Sequence, residues 1–265
     1  MAIGKHGAAQ TSICTSWPDR IEVRGRDLCN DLMGHVGFTD YFFLLVTGRM
    51  PTPDQSYFLD TLLVAIAEHG LTPTAQAARM TYDADPAALQ AAVAAGILGC
   101  GSVLLGTSEL CGKLLVEARR RVDAGEDADA VAESIAREYR ESRRAFPGFG
   151  HPVHKPVDPR TVRIFEMTAE RGIEGPYIDM ARRFPAAVER VWGKPLTMNV
   201  QMPIAAVLLE LDFPASVIKA IAILARTGGL LAHLAEESDG QIGFLMASHG
   251  EDAIAYVRQG EEGTR

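Results

Sequence analysis

A glycine-rich turn ahead of a predicted helix carries the residues best suited to chemistry. Gly148 and Gly150 precede His151, and Asp158-Pro159 marks a helix start a few residues later, with a cap followed by proline. Glycine lets the backbone approach a ligand closely. A neutral imidazole on such a turn can donate a hydrogen bond to a substrate oxygen and stabilise developing negative charge. The segment therefore predicts a binding turn in which His151 is the donor.

Three other side chains are of types that could bind or react with a substrate. Arg226 lies between apolar runs that should be buried, so it needs an anionic partner whatever the function. His69 follows an apolar helix, and Arg160 begins the helix after Asp158. By pattern alone, an isolated histidine is usually a surface or capping residue and a first-turn arginine is usually solvated. The pattern leaves both open, and it favours structural roles for the two remaining histidines of this region, His154 and His233.

The elements that must position these residues are helical almost throughout. Residues 52–55 (Thr-Pro-Asp-Gln) form a predicted capping box. Pro185 lies inside a predicted helix and should kink or divide it. Residues 21–25 carry the only strand signal, which suggests a small hairpin. The expected class is all-α, with helices over residues 52–70, 87–99, 127–144, 158–172, 176–192, 198–211 and 215–237.

Composition narrows the function further. The 265 residues carry a formal charge of −8 and a pI near 5.4, which argues against a nucleic-acid partner. We expect no membrane span, because no apolar run approaches the roughly 20 residues that a bilayer requires. Residues 1–10 lack an apolar leader core, so a cytoplasmic location is the default. The four cysteines, without metal-ligand spacing, predict free thiols and neither a disulfide framework nor a zinc site.

Residues 148–160 (GFGHPVHKPVDPR) resemble the citrate synthase signature, Gly-Phe/Tyr-Gly-His-x-Val-x-Lys-x-x-Asp-Pro-Arg. Further blocks follow in the order of that family, so that the resemblance spans residues 11–237. They are TSIC at 11–14, YFFLLVTGRMP at 41–51, EHGL at 68–71, AAR at 77–79 and ARTGGLLAH at 225–233. The chain thus resembles the citrate synthase and citryl-CoA lyase superfamily, as a short member similar to citryl-CoA lyase.

The resemblance implies a large helical domain (residues 1–110 and 198–265) with a smaller CoA-binding domain (residues 111–197) inserted. It implies that His151 binds the oxygen at the reacting bond and His69 binds substrate oxygens, while Arg160 and Arg226 hold carboxylates. A homodimer or higher homo-oligomer, with coenzyme A as thioester substrate or product and without a metal, is also implied. The expected CoA-binding residues are Phe149, Gly150, Asn199, Arg143, Arg144 and Lys194.

Two positions depart from the family. Leu104, in the segment at 101–107, replaces the histidine that stabilises the acetyl-CoA enolate in citrate synthases, as an apolar residue also does in citryl-CoA lyase modules. Gln201 takes the place of the general-base carboxylate, and an amide cannot take up a proton at working pH. Losing a positioned base costs about 10²–10⁴ in rate, so citrate synthesis is not expected.

Three functions are compatible with the resemblance, and these departures favour the first of them. The first is a lyase or hydrolase that cleaves a carbon–carbon bond in a 3-oxygenated acyl-CoA, with Gln201 and backbone amides steadying the enolate. A citrate synthase-like condensing acyltransferase with a displaced base, Glu109 or Glu210, is the second. The third is a catalytically silent protein that binds CoA esters. The residues leave open which group replaces the base, with His69 or water as candidates.

Overall fold

The structure of the protein, a computed structural model, describes residues 9–101 and 103–258. Residues 1–8, most of the segment expected to lack a leader, and Ser102, within the segment at 101–107, lie outside that range. The described chain is all-α apart from a three-stranded antiparallel sheet, which confirms the expected class. The strands are β1 (Cys14–Ser16), β2 (Ile21–Val23) and β3 (Arg26–Asp27). The sheet therefore has three strands, where the sequence predicted only a small hairpin at residues 21–25. The four cysteines are free thiols, as predicted.

Eleven α-helices follow along the described chain. A five-residue π-helix (Leu28–Leu32) precedes them, and a short 3₁₀ turn (Ala215–Val217) leads into the tenth. The helices are α1 (Phe38–Thr47), α2 (Pro53–Ala67), α3 (Pro73–Ala84), α4 (Leu89–Leu98), α5 (Thr107–Asp123), α6 (Ala128–Glu141), α7 (Pro159–Glu170), α8 (Pro176–Trp192), α9 (Gln201–Glu210), α10 (Ile218–Asp239) and α11 (Gly243–Ala253).

Helix ends agree with their sequence signals. The Thr52 hydroxyl accepts from the Gln55 amide and the Gln55 side chain accepts from the Thr52 amide, so the capping box of α2 is confirmed. Asp158 caps α7 in the same way, by accepting from the Arg160 amide. Each cap satisfies backbone donors that a helix start leaves unpaired. The Asp158 cap also lies at the site, because Arg160 is in the first turn of α7.

The helix α8 is not divided at Pro185. Proline removes one backbone hydrogen bond and normally breaks a helix interior. Here Phe184 and Val188, on either side of the proline, are fully buried, and α8 packs against α6 and α9. Tertiary packing of this apolar face holds the helix together where its local sequence would interrupt it.

The helix α10 runs through the centre of the packing. With its leading turn it is long and apolar enough to cross a membrane by length and composition, although no segment of that kind was expected from the sequence. However, it carries the buried Arg226 and packs against α2, α3, α4 and α5. That contact pattern is typical of a core helix. The domain boundaries at 110 and 198 stay a prediction, and one hydrophobic cluster extends from α2 through α5, α6, α8 and α9.

The turn before His151 depends on Gly148. Its φ is +76°, and a Cβ at this position would lie 2.8 Å from the Met202 Cβ and 2.9 Å from the Cys111 Sγ. We expect Gly148→Ala to lower the free energy of unfolding by about 2–4 kcal/mol, since left-handed strain and overpacking add. Gly150→Ala is the matched control, because φ is +89° there but the space is open, so only about 1 kcal/mol should be lost. Urea unfolding measures both, and equal losses would contradict the steric argument.

Candidate active site

A cleft of about 430 Å³ lies where the end of α2, the start of α3, the segment at 101–107, the glycine turn, α9 and α10 meet. Its volume falls in the range of small-molecule sites. Its walls include all five residues expected to act on a substrate, brought together from five separate parts of the chain. These are His69, His151, Arg160, Gln201 and Arg226.

Backbone geometry fixes the proton of His151 on one nitrogen. Its Nδ1 accepts hydrogen bonds from the amides of Val153 (3.1 Å) and His154 (2.9 Å). Since amides only donate, Nδ1 carries no proton, and the neutral ring must carry it on Nε2. The Arg160 Nη2 lies 3.5 Å from that Nε2, too far to compete with the two shorter bonds. His151 therefore presents an N–H donor.

The environment also keeps His151 neutral. Partial burial, together with the neighbouring His154, lowers the pKa of His151 below its usual value. Burial and the positive charge of Arg160 lower the pKa of His69 in the same direction. Both shifts favour the uncharged ring. A neutral ring can donate a hydrogen bond or accept a proton without bringing a further cation into the cleft.

His154, interpreted from sequence as structural, lies behind the cleft against both other rings. Its Nε2 is 3.1 Å from the His69 Nε2, and its ring centroid is 4.3 Å from that of His151. One of the two Nε2 atoms must carry the proton that the other accepts. His154 therefore positions His69 rather than lining the cleft.

The three imidazoles have the spacing of a metal site, since their ligand atoms lie within 4.8 Å of one another. A metal on the Nε2 of His151 would require a proton on Nδ1. That Nδ1 faces two amide donors, which leaves no acceptor for such a proton. The donor set therefore suits a substrate oxygen better than a resident metal ion.

Arg226 is a buried cation whose charge is not neutralised by a bonded acid. Its Nη1 and Nη2 lie 3.4 Å from the Thr72 hydroxyl and the Ile66 carbonyl. Within residues 9–101 and 103–258, no carboxylate is paired with it, and its Nε has no hydrogen-bond partner. Burial lowers its pKa accordingly. A guanidinium buried in this state has lost its water without gaining an acidic partner.

Arg160, unlike Arg226, is paired with a carboxylate of the chain. Its Nε and Nη2 bond the two oxygens of the fully buried Asp158, at 3.0 and 2.9 Å. Asp158 also accepts from the Val200 amide, which ties α7 to the start of α9. Planar two-point pairing of this kind uses most of the fork of an arginine. Arg160 therefore lines the cleft with its charge already largely compensated.

Gln201 lies at the first position of α9 and faces the cleft. Its Oε1 is buried and has no hydrogen-bond partner among the described residues. The side chain of Asn199, in contrast, has hydrogen-bond partners. Its Nδ2 donates to the Gly150 carbonyl, and its Oδ1 accepts from the backbone N–H of Gln201. Leu104, at the position of the missing histidine, is partly exposed and lines the cleft.

The expected CoA-binding residues are spread more widely. Gly150 and Asn199 line the cleft, whereas the ring of Phe149 lies against Phe146, 5.2 Å between centroids. Their role in binding stays a prediction. So does that of three exposed cations outside the cleft lining: Arg143, Arg144 and Lys194.

A buried polar chain that sequence reasoning missed supports the His69 loop. Arg79 is paired with Glu236 and with the buried Glu237, and its Nε donates to the Nδ1 of His233. The Nε2 of His233, which then carries the proton, lies 3.0 Å from Glu68 Oε2, a close contact that lacks hydrogen-bond geometry. Glu68 accepts in turn from the amides of His69 and Gly70. Glu237 lies in the polar run of residues 236–239 at the end of α10, so the sequence carried no signal that its side chain would be buried.

The described chain is all-α, and its cleft brings three features together: two imidazoles, a glycine turn and a buried guanidinium that has no bonded acid. Residues 53–243 match the family described as citrate synthase, C-terminal domain. The chain therefore belongs to the citrate synthase family, within the superfamily that includes citryl-CoA lyase.

Individual relatives agree with that membership. The citrate synthase-like protein oryE of Aspergillus oryzae is 30% identical over 206 residues, which cover 73% of this chain and 44% of that protein. Citrate synthase of Synechocystis is 28% identical over 207 residues, covering 76% and 49%. The chain thus spans about half the length of the curated relatives that it matches.

Solved structures give a fuller overlap. Citryl-CoA lyase from Hydrogenobacter thermophilus has a TM-score of 0.83 at 28% identity and covers 98% of both chains. ATP citrate lyase from Methanothrix soehngenii, in complex with citrate and coenzyme A, has a TM-score of 0.76 at 18% identity, covering 98% of this chain and 43% of that one. The second likeness shows the fold alone.

Proposed function

We propose that the protein is a CoA-dependent lyase, similar to citryl-CoA lyase, that cleaves a carbon–carbon bond in a 3-oxygenated acyl-CoA and releases a shorter acyl-CoA. One observation carries the proposal. The buried Arg226 is paired with no acid of the described chain, and it faces the same cleft as the fixed Nε2 donor of His151. A substrate with a carboxylate beside a polarisable oxygen satisfies both groups.

Each residue of the cleft has its own role in the proposed reaction. Arg226 holds a carboxylate of the substrate, and His151 donates to the C3 oxygen as negative charge develops there. Gln201 donates through its amide to the enolate oxygen of the departing acyl-CoA. Of the two candidates for the base, His69 and water, the proposal takes His69, whose neutral ring accepts the proton of the C3 hydroxyl. Cleavage needs no removal of a methyl proton, so an amide at position 201 is compatible with it.

The two alternatives are less well supported. A condensing acyltransferase requires a carboxylate at the reacting methyl group, and Gln201 stands there; Glu210 is bonded to the amides of Tyr177 and Ile178 at the start of α8. A silent CoA-ester-binding protein has no need to retain an unpaired Arg226 or an unsatisfied Gln201, since both cost stability.

The assembly belongs to the same proposal. Coenzyme A is held mainly by the domain at residues 111–197, with Arg143, Arg144 and Lys194 near its phosphates. A homodimer covers apolar side chains that the single chain leaves exposed on the neighbouring helices α2, α4 and α10, namely Val64, Leu98 and Leu231. The compartment is the cytoplasm.

The dimer can be tested by light scattering of the purified protein, which should give twice the mass of one chain. A monomer at every concentration would contradict the dimer.

The test of the function is cleavage of a 3-hydroxy-3-carboxyacyl-CoA, followed by chromatography of the released acyl-CoA. We expect turnover in this direction, whereas oxaloacetate and acetyl-CoA should give no citrate at a useful rate. Robust citrate formation would contradict the assignment, and so would the absence of both cleavage and any rise in melting temperature with millimolar CoA.

Gln201→Asp separates cleavage from a decayed synthase. If Gln201 only donates to the enolate, a carboxylate there repels the developing charge, so we expect at least about tenfold slower cleavage. A synthase that had lost its base would instead regain exchange of acetyl-CoA methyl protons with deuterium oxide. Gln90→Asp, the same change on the exposed surface of α4, is the control. Faster cleavage by Gln201→Asp would overturn the role given to the amide.

A further inference from the structure

We infer that the substrate carries one free carboxylate on C3 and a hydrocarbon group in place of the carboxymethyl arm of citryl-CoA. This rests on the proposed function and names its substrate class: a 3-hydroxy-3-carboxyacyl-CoA with an alkyl substituent on C3. The charges of the cleft and its apolar wall both point to that class.

The cleft offers one guanidinium without a bonded carboxylate in the part of the chain that the structure describes. Two guanidiniums line it, Arg160 and Arg226. The fork of Arg160 is engaged by the fully buried Asp158, whereas Arg226 is paired with no acid. A citryl group carries two free carboxylates and would need a second open cation. A single carboxylate on C3 uses what the site provides.

Part of the cleft lining is apolar. Ile66, whose carbonyl lies 3.4 Å from the Arg226 Nη2, and Leu71, next to Thr72, line the cleft. Leu104 and Leu105 line the same cleft from the segment at 101–107, with Val153 from the glycine turn. Leu104 and Val153 are 39% and 70% exposed, so a ligand can cover them. A hydrocarbon gains by covering such a wall, whereas a carboxylate there loses its water without gaining a partner.

The reaction balances without a further reactant. The C3 hydroxyl loses its proton to His69, the C2–C3 bond breaks, and its electron pair passes to C2 as the thioester enolate. C3 becomes the carbonyl carbon of a 2-oxo acid that keeps the alkyl group. A proton then adds to C2 and gives acetyl-CoA. No electron acceptor is required, because one carbon is reduced as the other is oxidised.

The experiment compares citryl-CoA with homologues in which methyl or propyl replaces the carboxymethyl arm, at matched configuration. We expect kcat/KM for an alkyl homologue to exceed that for citryl-CoA by at least about 100-fold, the effect of stranding a carboxylate on an apolar wall. Equal or faster cleavage of citryl-CoA would overturn the inference while leaving the proposed function intact. Cleavage of none of the thioesters would overturn the proposed function and the inference with it.

Wall variants complete the test. Leu104→Arg supplies the second cation that citryl-CoA lacks, so it should shift the ratio of kcat/KM toward citryl-CoA at least about tenfold. Leu104→Met, apolar and of similar volume, should keep the alkyl preference. Val153→Arg, at a more exposed position, repeats the test if Leu104→Arg does not fold. An unchanged ratio in both arginine variants would overturn the inference.

Discussion

Replacing Arg226 with methionine should raise the melting temperature of the free protein while lowering kcat/KM for the acyl-CoA substrate at least about 100-fold. The two effects have one cause. In the free protein the guanidinium is buried, is paired with no acid within the described chain, and holds one buried Nε without a partner. Its desolvation is uncompensated, so methionine of similar length removes a cost. We expect a gain of about 2–4 °C.

The loss of activity follows from the same charge. A substrate carboxylate that enters the cleft would meet no open cation, and truncating one partner of a buried charge pair costs about 2–5 kcal/mol. Arg226→Lys is the control, because it keeps the charge but loses the planar fork, so its activity should lie between those of the other two proteins. Scanning calorimetry and thioester kinetics measure both effects. A lower melting temperature with retained activity would show that Arg226 is structural.

His151→Ala should lower kcat about 10²–10³-fold while changing KM much less. The Nε2–H of His151 acts on charge that exists only in the transition state, so its loss affects turnover more than binding. His249→Ala, which removes an exposed histidine of α11, is the matched control and should leave kcat unchanged. Circular dichroism would establish that the variant is folded. An unaffected kcat would remove His151 from the mechanism.

The pH profile gives a second check on His151. Burial and His154 lower its pKa, so the neutral donor should persist as the pH falls through the range where an ordinary histidine, with a pKa of about 6.5, becomes charged. We therefore expect the acid limb of kcat to lie below that range. A limb at or above it would mean that the ring is not shielded.

The sequence predicted best what is encoded locally. The Thr52 box and the Asp158 cap each need only a few consecutive residues, and both appear as expected. The five residues assigned to the substrate were found from short motifs and from the cost of burying Arg226, and the fold brings all five into one cleft.

What the sequence did not predict depends on distant contacts. The bond between His69 and His154 joins residues 85 apart, and the pairing of Arg79 with Glu237 joins residues 158 apart. No periodicity encodes such pairs. The capture of the Arg160 fork by Asp158 is local, but two neighbouring residues of opposite charge do not reveal whether both will be buried. Pro185 shows the reverse case, in which packing overrides a correct local signal.

The buried polar chain from Glu237 to the His69 loop joins residues that are made at very different times during synthesis. Glu237 also accepts from the amides of Ile242 and Gly243, so the start of α11 holds the Glu237 end of this chain, and Asp83 of α3 accepts from the Phe244 amide. His69 is translated early, yet its backbone partners are held by groups near residue 240. During synthesis, α2 and α3 can therefore form before the residues near 240 exist, so the His69 loop gains this support only after α10 and the start of α11 have been made.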